Sequence, residues 1–379
     1  MSEVESGPTI HHRGAKRVRD DLITRWADLL VDYCLGVTPG ETILIGSELE
    51  ARPLVEACYK AIVLRGAHPL VRLELPGLAE FFLQNATEDQ LGFVLPSSVF
   101  EAQSVAARIR IAADSDTKAM SRVDPKRQAV VDRARDPVRR AARDKRWVLT
   151  QYPTEAYAGD ARMSLEDYEK FVASAMFLDQ DDPAESWMNL GRDQAGLVEY
   201  MTGVKIVRIE ADQTDLTLSI DGRTWINSDG RRNMPSGEIF TGPVEDSARG
   251  RLRCGFPVRR DGRELKGIAL EFADGVVIAA KAAEGEEYLL SMLDLDPGAR
   301  RLGELGLGLN QGIRRFTGSI LYDEKIGGTI HLAVGQSYPE TGGTNASALH
   351  WDLIIDTRKG GRLTADGKVV MEDGVWRVG

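Results

Sequence analysis

Residues 39–75 read PGETILIGSELEARPLVEACYKAIVLRGAHPLVRLEL. Pro39-Gly40 breaks the chain, and Thr42-Ile43-Leu44-Ile45 follows as a short buried strand closed by Gly46. Residues 52–65 carry helical spacing that ends at Gly66, and a second apolar run covers 69–75. Strand, helix and strand within roughly thirty residues make a βαβ unit, so the first half is an α/β domain with an open sheet. Upstream, Ile23, Trp26, Leu29, Leu30 and Tyr33 recur at three- and four-residue spacing, as in an amphipathic helix. Residues 1–20 carry no such periodicity and read as a mobile arm, in which the adjacent His11 and His12 are an inert surface pair. Downstream, 126–145 is a charged helical stretch interrupted at Pro137, 147–150 is strand-like, and 165–177 is helical. Beyond about residue 200 short alternating runs separated by Asp-Gly or Gly turns take over, at 216–221, 258–272 and 368–376. The expected organisation is therefore an arm (1–20), an N-terminal α/β open-sheet domain (21–195) and a β-rich α+β domain (196–379).

Composition narrows the function. The 379 residues hold 48 Lys+Arg against 58 Asp+Glu, a formal charge of −10, which disfavours a general nucleic-acid binder. A hydrophobic fraction of 42% and a charged fraction of 28% are those of a soluble globular protein. No run approaches the ~20 apolar residues of a membrane span, and the polar N-terminus lacks a secretory core. Cys34, Cys58 and Cys254 have no pairing or metal-ligand spacing, which suits packing roles in a reducing cytoplasm. No phosphate-cradling Gly-rich loop ending in Lys-Ser/Thr is present.

The chemistry concentrates near the C-terminus. In Thr329-Ile330-His331-Leu332-Ala333-Val334-Gly335, strand alternation puts His331 on one face with Ala333 and Gly335. In Leu349-His350-Trp351-Asp352-Leu353, His350 and Asp352 share a face opposite Leu349, Trp351 and Leu353. Glu304 lies with Gly306 and Gly308 opposite Leu305, Leu307 and Leu309. Glu238 follows the turn Pro235-Ser236-Gly237 where an apolar run begins, and Asp323-Glu324 stands upstream of His331. Imidazole nitrogens and carboxylate oxygens together suit Zn²⁺, Mn²⁺, Co²⁺ or Fe²⁺. Taken singly, a His-X-Asp on a strand also describes a hydrogen-bonded core pair, and a Glu before an apolar run also describes a cap; five segments pointing the same way favour a metal site.

These segments resemble the aminopeptidase T / aminopeptidase S family of thermophilic-type metallo-aminopeptidases. The resemblance is carried by Asn233-Met234-Pro235-Ser236-Gly237-Glu238-Ile239-Phe240-Thr241, Leu302-Gly303-Glu304-Leu305-Gly306, Asp323-Glu324-Lys325, Gly328-Thr329-Ile330-His331-Leu332-Ala333, Gly335-Gln336-Ser337-Tyr338 and Ser347-Ala348-Leu349-His350-Trp351-Asp352-Leu353-Ile354. Pro39-Gly40-Glu41 and Gly66-Ala67-His68-Pro69 extend it more weakly into the first half. It implies two divalent ions per chain (Zn, Co, Mn or Mg) held by Glu238, Glu304, Glu324, His331, His350 and Asp352, with Glu304 and Tyr338 acting in catalysis. Two dications against four carboxylates leave such a site neutral. The Glu324–His331 spacing is seven residues, longer than in some relatives, which singles out Glu324 for scrutiny. The resemblance further implies peptide substrates with a free N-terminus and a homodimer. The alternative on the same fold is a mononuclear Fe(II) ring-cleaving dioxygenase of the dihydroxypyridine type, for which His331, His350 and Asp352 would supply the facial triad; it leaves three glutamates without a purpose.

Overall fold

The computed structural model describes residues 12–377 of the protein. Residues 1–11 of the expected arm, with His11, lie outside the described residues, and the first helix runs His12–Asp28. The βαβ unit is strand Thr42–Glu48, helix Arg52–Leu64 and strand His68–Glu74, with the two strands parallel. The charged stretch beyond it forms two short helices, Pro125–Ala134 and Asp136–Ala141, with Pro137 in the first turn of the second, where its missing N–H costs nothing.

Five parallel strands make the first sheet, in the order His68–Glu74, Thr42–Glu48, Ala107–Ala112, Arg146–Gln151 and Asn233–Met234. Its last strand comes from the second half of the chain, paired as Leu149↔Asn233 and Thr150↔Met234, and leads directly into the turn before Glu238.

The second half is a two-layer β sandwich. An eight-stranded antiparallel sheet contains the hairpins 269–281 and 362–376, whose Asp274-Gly275, Asp366-Gly367 and Asp373-Gly374 corners all have positive φ, the conformation that the tightest hairpin turns demand. The facing layer has five antiparallel strands in the order His350–Asp356, Thr329–Gly335, Leu302–Gly308, Glu238–Thr241 and Ile226–Ser228. Val207, Ile209, Leu216, Leu252 and Leu270 of the first layer pack on Leu305, Leu307, Ile330, Leu332 and Leu353 of the second. The opposite face of the five-stranded layer is turned towards the N-terminal half, whose own core takes in Met234, Ile313, Tyr322 and Ile326. Among the described residues no helix is long and apolar enough to cross a membrane.

Candidate metal centre

Five of the six ligand-type residues stand on that outward face. Alternation sends Ile330, Leu332 and Val334 into the sandwich core and turns His331, Ala333 and Gly335 the other way. Register does the rest. Gly306 lies opposite His331, Glu304 and Asp352 oppose Ala333 from either side, His350 opposes Gly335, and Glu238 opposes Gly308. Each large polar side chain thus faces a neighbour with one side-chain carbon or none. A Cβ on Gly306 would lie 1.9 Å from His331 Nε2, so glycine there is a steric condition for the histidine.

Glu238 is set by its turn. Gly237 has φ +105°, and a Cβ there would come within 2.7 Å of Asn310 Cβ. Buried Asn310 donates from Nδ2 to the carbonyls of Ser236 and Ala175, both at 2.9 Å, which ties the turn to helix Leu165–Ala175. Gln194, on helix Pro183–Met201, donates to the Glu238 carbonyl at 2.6 Å. Glu324 arrives from outside the sheet, just after the helical turn Ile320–Asp323. The Asp323 carboxylate fixes that turn by accepting from Thr317 N, Thr317 Oγ1 and Gly318 N at 2.7–2.8 Å.

All six side chains converge. Three overlapping sets bring one ligand atom per residue within 4.8 Å of one another: Glu238–Glu304–His331, Glu304–His350–Asp352 and Glu324–His331–Asp352. His331 Nε2 is 3.4 Å from Glu238 Oε2 and 3.5 Å from Glu304 Oε1, while His350 Nε2 is 3.2 Å from Glu304 Oε2 and 3.7 Å from Asp352 Oδ1. His350 Nδ1 lies 2.8 Å from the Gln336 carbonyl and donates to it, so Nε2 is the nitrogen turned towards the cluster. Tyr338 packs beside it, ring centres 5.1 Å apart, and against Phe240 at 5.4 Å.

The donor set fits a divalent cation. Both ring nitrogens of His331, Glu238 Oε2 and Asp352 Oδ1 are buried with no hydrogen-bond partner, an arrangement that is costly unless a cation satisfies them. The electrostatics point the same way. Burial pushes Glu238 up to about 7 and Asp352 up to about 6. Burial would also raise Glu304, but the adjoining His331 and His350 outweigh it and hold that carboxyl at about 2. Burial opposes charge on His331 and His350, yet the surrounding carboxylates lift them to about 9 and about 10. Protons on the histidines and the buried acids thus stand where positive charge is required.

A cavity of about 570 Å³ opens onto the cluster, with Glu238, Glu304, Glu324, Tyr338, His350 and Asp352 in its wall. Trp147 and Asn233 of the first sheet also line it, so both halves of the chain build the site. A smaller cavity of about 110 Å³, walled by Phe256, Pro257, Phe316, Ile320 and Ile354, reaches the same His350 and Asp352 from another side.

Some participants carry no sequence signal. Gln194 and Asn310 lie in segments that carry no motif, and Trp147 in one that reads only as a strand. Lys325 stands in the motif Asp323-Glu324-Lys325 without an assigned role; it is wholly buried, its ammonium paired with Glu324 and 3.5 Å from Glu238 Oε1. The centre therefore holds a fixed positive charge that the four-carboxylate, two-dication count leaves out.

A family model described as thermophilic metalloprotease (M29) matches residues 19–376. The chain is 30% identical to aminopeptidase 2 of Geobacillus stearothermophilus, over 93% of this chain and 97% of that protein. It is 27% identical to aminopeptidase T of Thermus aquaticus, over 93% and 95%. The solved structure of wild-type AmpT from Thermus thermophilus superposes with a TM-score of 0.82 at 24% identity, covering 95% of this chain and all of that one, which identifies the same fold.

Proposed function

Because the chain belongs to the thermophilic metalloprotease family M29, we propose that it is an aminopeptidase releasing N-terminal residues from peptides at a centre for two divalent ions held by Glu238, Glu304, Glu324, His331, His350 and Asp352. The observation that carries the reading is the convergence of four carboxylates and two histidines with buried, unpartnered donor atoms. When bound, such ions acidify a water and polarise the scissile carbonyl. Glu304, with one oxygen towards each histidine, would help to hold both ions and complete the charge compensation at either end. A carboxylate of the cluster takes the proton of the attacking water and returns it to the leaving amine. Burial, reinforced by the negative charge of Glu304, Asp352, Glu324 and Glu238, holds the Tyr338 phenol well above its ordinary pKa, so Tyr338 keeps its proton and serves as a donor to the developing oxyanion.

The smaller cavity beside His350 and Asp352 offers Phe256, Phe316 and Ile354 to an N-terminal side chain, with Arg259, Arg260 and Asp323 also in its wall. The ring-cleaving alternative needs one carboxylate with the two histidines and gives no use to the other three. We extend the reading to a homodimer in the cytoplasm. Exposed apolar side chains concentrate between residues 59 and 100, with Leu64, Phe81, Phe93 and Phe100 each more than 60% exposed, which supports a protein-facing surface. The three cysteines are free and buried, in keeping with a reducing compartment.

The test is hydrolysis of leucine p-nitroanilide and its N-acetylated form before and after chelation and metal restoration. Chelator-sensitive, metal-restored cleavage of the free amine substrate alone is expected. Cleavage that survives chelation, or equal cleavage of the blocked substrate, would overturn the assignment.

A further inference from the structure

Lys325 is among the largest fully buried side chains of the protein, with no solvent exposure. A cation taken out of water is tolerated only where carboxylates compensate it. Here Glu324 pairs with the ammonium and Glu238 Oε1 lies 3.5 Å away. These partners are spread unevenly over the ligand sets. Glu238 belongs to the set Glu238–Glu304–His331 and Glu324 to the set Glu324–His331–Asp352, whereas neither belongs to Glu304–His350–Asp352. One end of the centre, around deeply buried His331, therefore contains a permanent cation. The other end, around His350 with its side chain 26% exposed, meets the ammonium only through the charge of Asp352, which the two ends share.

We propose that Lys325 makes the two ends unequal: the Glu304–His350–Asp352 end takes a divalent ion first and holds it tightly, while an ion at the His331 end competes with the ammonium for Glu238 and Glu324 and binds as the weaker, exchangeable one. Charge counting agrees. Four carboxylates and Lys325 give −4 + 1 = −3; a first dication brings the centre to −1, and a second carries it past neutrality to +1, so the second gains less. Lys325 is a positioning residue in this account. While the weaker ion is absent it compensates Glu238 and Glu324, so that four buried carboxylates do not drive one another apart; when that ion binds, the ammonium is its competitor. The inference rests on the two-ion reading above.

The experiment is equilibrium dialysis of the chelated, full-length protein against Co²⁺ and Zn²⁺, with bound metal counted by mass spectrometry and Co²⁺ absorption recorded. The wild type is expected to fill in two steps whose affinities differ by at least about tenfold, because a unit charge a few ångströms from a dication in a partly dry site weighs that much or more. In Lys325→Gln the weaker step tightens by about tenfold or more while the tighter one moves by less than about threefold. Two equal steps in the wild type would overturn the proposal without need of any variant. So would a Lys325→Gln protein, folded by circular dichroism, in which the gap between steps is unchanged. A single ion in both proteins defeats the two-ion reading and this inference with it. Unequal steps without any peptidase activity would leave the inference standing and defeat only the assigned reaction.

Discussion

Replacing Gly306 by alanine is the most economical test of how the sheet builds the site. The added Cβ falls 1.9 Å from His331 Nε2 and 2.1 Å from Cε1. Heavy atoms of this kind rest at about 3.5 Å, so ring and strand must part by roughly 1.5 Å. Neither moves freely. Leu302–Gly308, the central strand, is buried along its whole length and paired on both sides, and His331 is 1% exposed on the neighbouring strand. The ring must rotate away from Glu238 and Glu304. A displacement of this size costs catalysis about a hundredfold or more, and overpacking costs about 1–3 kcal/mol of stability. The assays are kcat/KM on leucine p-nitroanilide, bound metal per chain, and urea unfolding of the metal-free protein. The double variant Gly306→Ala/His331→Ala adds the decisive comparison. With the clashing ring gone it should regain most of the stability lost by Gly306→Ala while staying inactive. A Gly306→Ala protein with wild-type metal content and turnover would refute the steric argument, as would a double variant no more stable than the single one.

Three further outcomes follow from the same contacts. Glu304→Gln, which takes one charge from the carboxylate lying between the two histidines, is expected to lower metal affinity and kcat/KM by at least about a hundredfold; unchanged metal content would contradict its place in the centre. Asn310→Ala removes the two bonds to Ala175 and Ser236 and the 2.8 Å bond accepted from Gly312 N, and should cost about 2–4 kcal/mol in urea unfolding, a loss under 0.5 kcal/mol arguing against its tying role. Asp296 is partly buried, which would raise its pKa, but bonds from Ala348 N, Ser347 Oγ, Gly298 N and Ala299 N outweigh burial and hold the carboxyl below its ordinary value. A depressed folded pKa gives stability that is present above the unfolded value of about 3.9 and lost as pH falls through the folded one. The melting temperature of the wild type should therefore exceed that of Asp296→Asn at pH 7, and the gap should close as the pH is lowered below about 4; a gap independent of pH would remove the carboxylate from the account.

What was legible in the sequence was whatever obeys a local period. The 42–74 unit declared itself through a break, an apolar run and a terminal glycine, all consequences of backbone geometry within a few residues. The face shared by His331, Ala333 and Gly335 followed from strand alternation alone, and the pairing Gly306↔His331 gives that small-residue pattern its meaning. Glu324 was named as a ligand only through the family resemblance and not by any local period, because it reaches the cluster from a loop whose path depends on the Asp323 turn and on packing of Tyr322 in the other core. Lys325 was hidden for a related reason. A lysine beside two acids looks like solvated surface, and only the fold reveals that its neighbours are buried. The joining of the first sheet to the Glu238 turn through Asn233–Met234 is a two-residue strand, too short to leave any periodic trace.

The central claim, that Glu238, Glu304, Glu324, His331, His350 and Asp352 hold two divalent ions, is tested most directly by anomalous diffraction above the zinc edge from crystals of the zinc-loaded protein. The account predicts two peaks within the cluster, one against His350 and one against His331, with Glu304 between them. A single peak, or peaks on other residues, would contradict it.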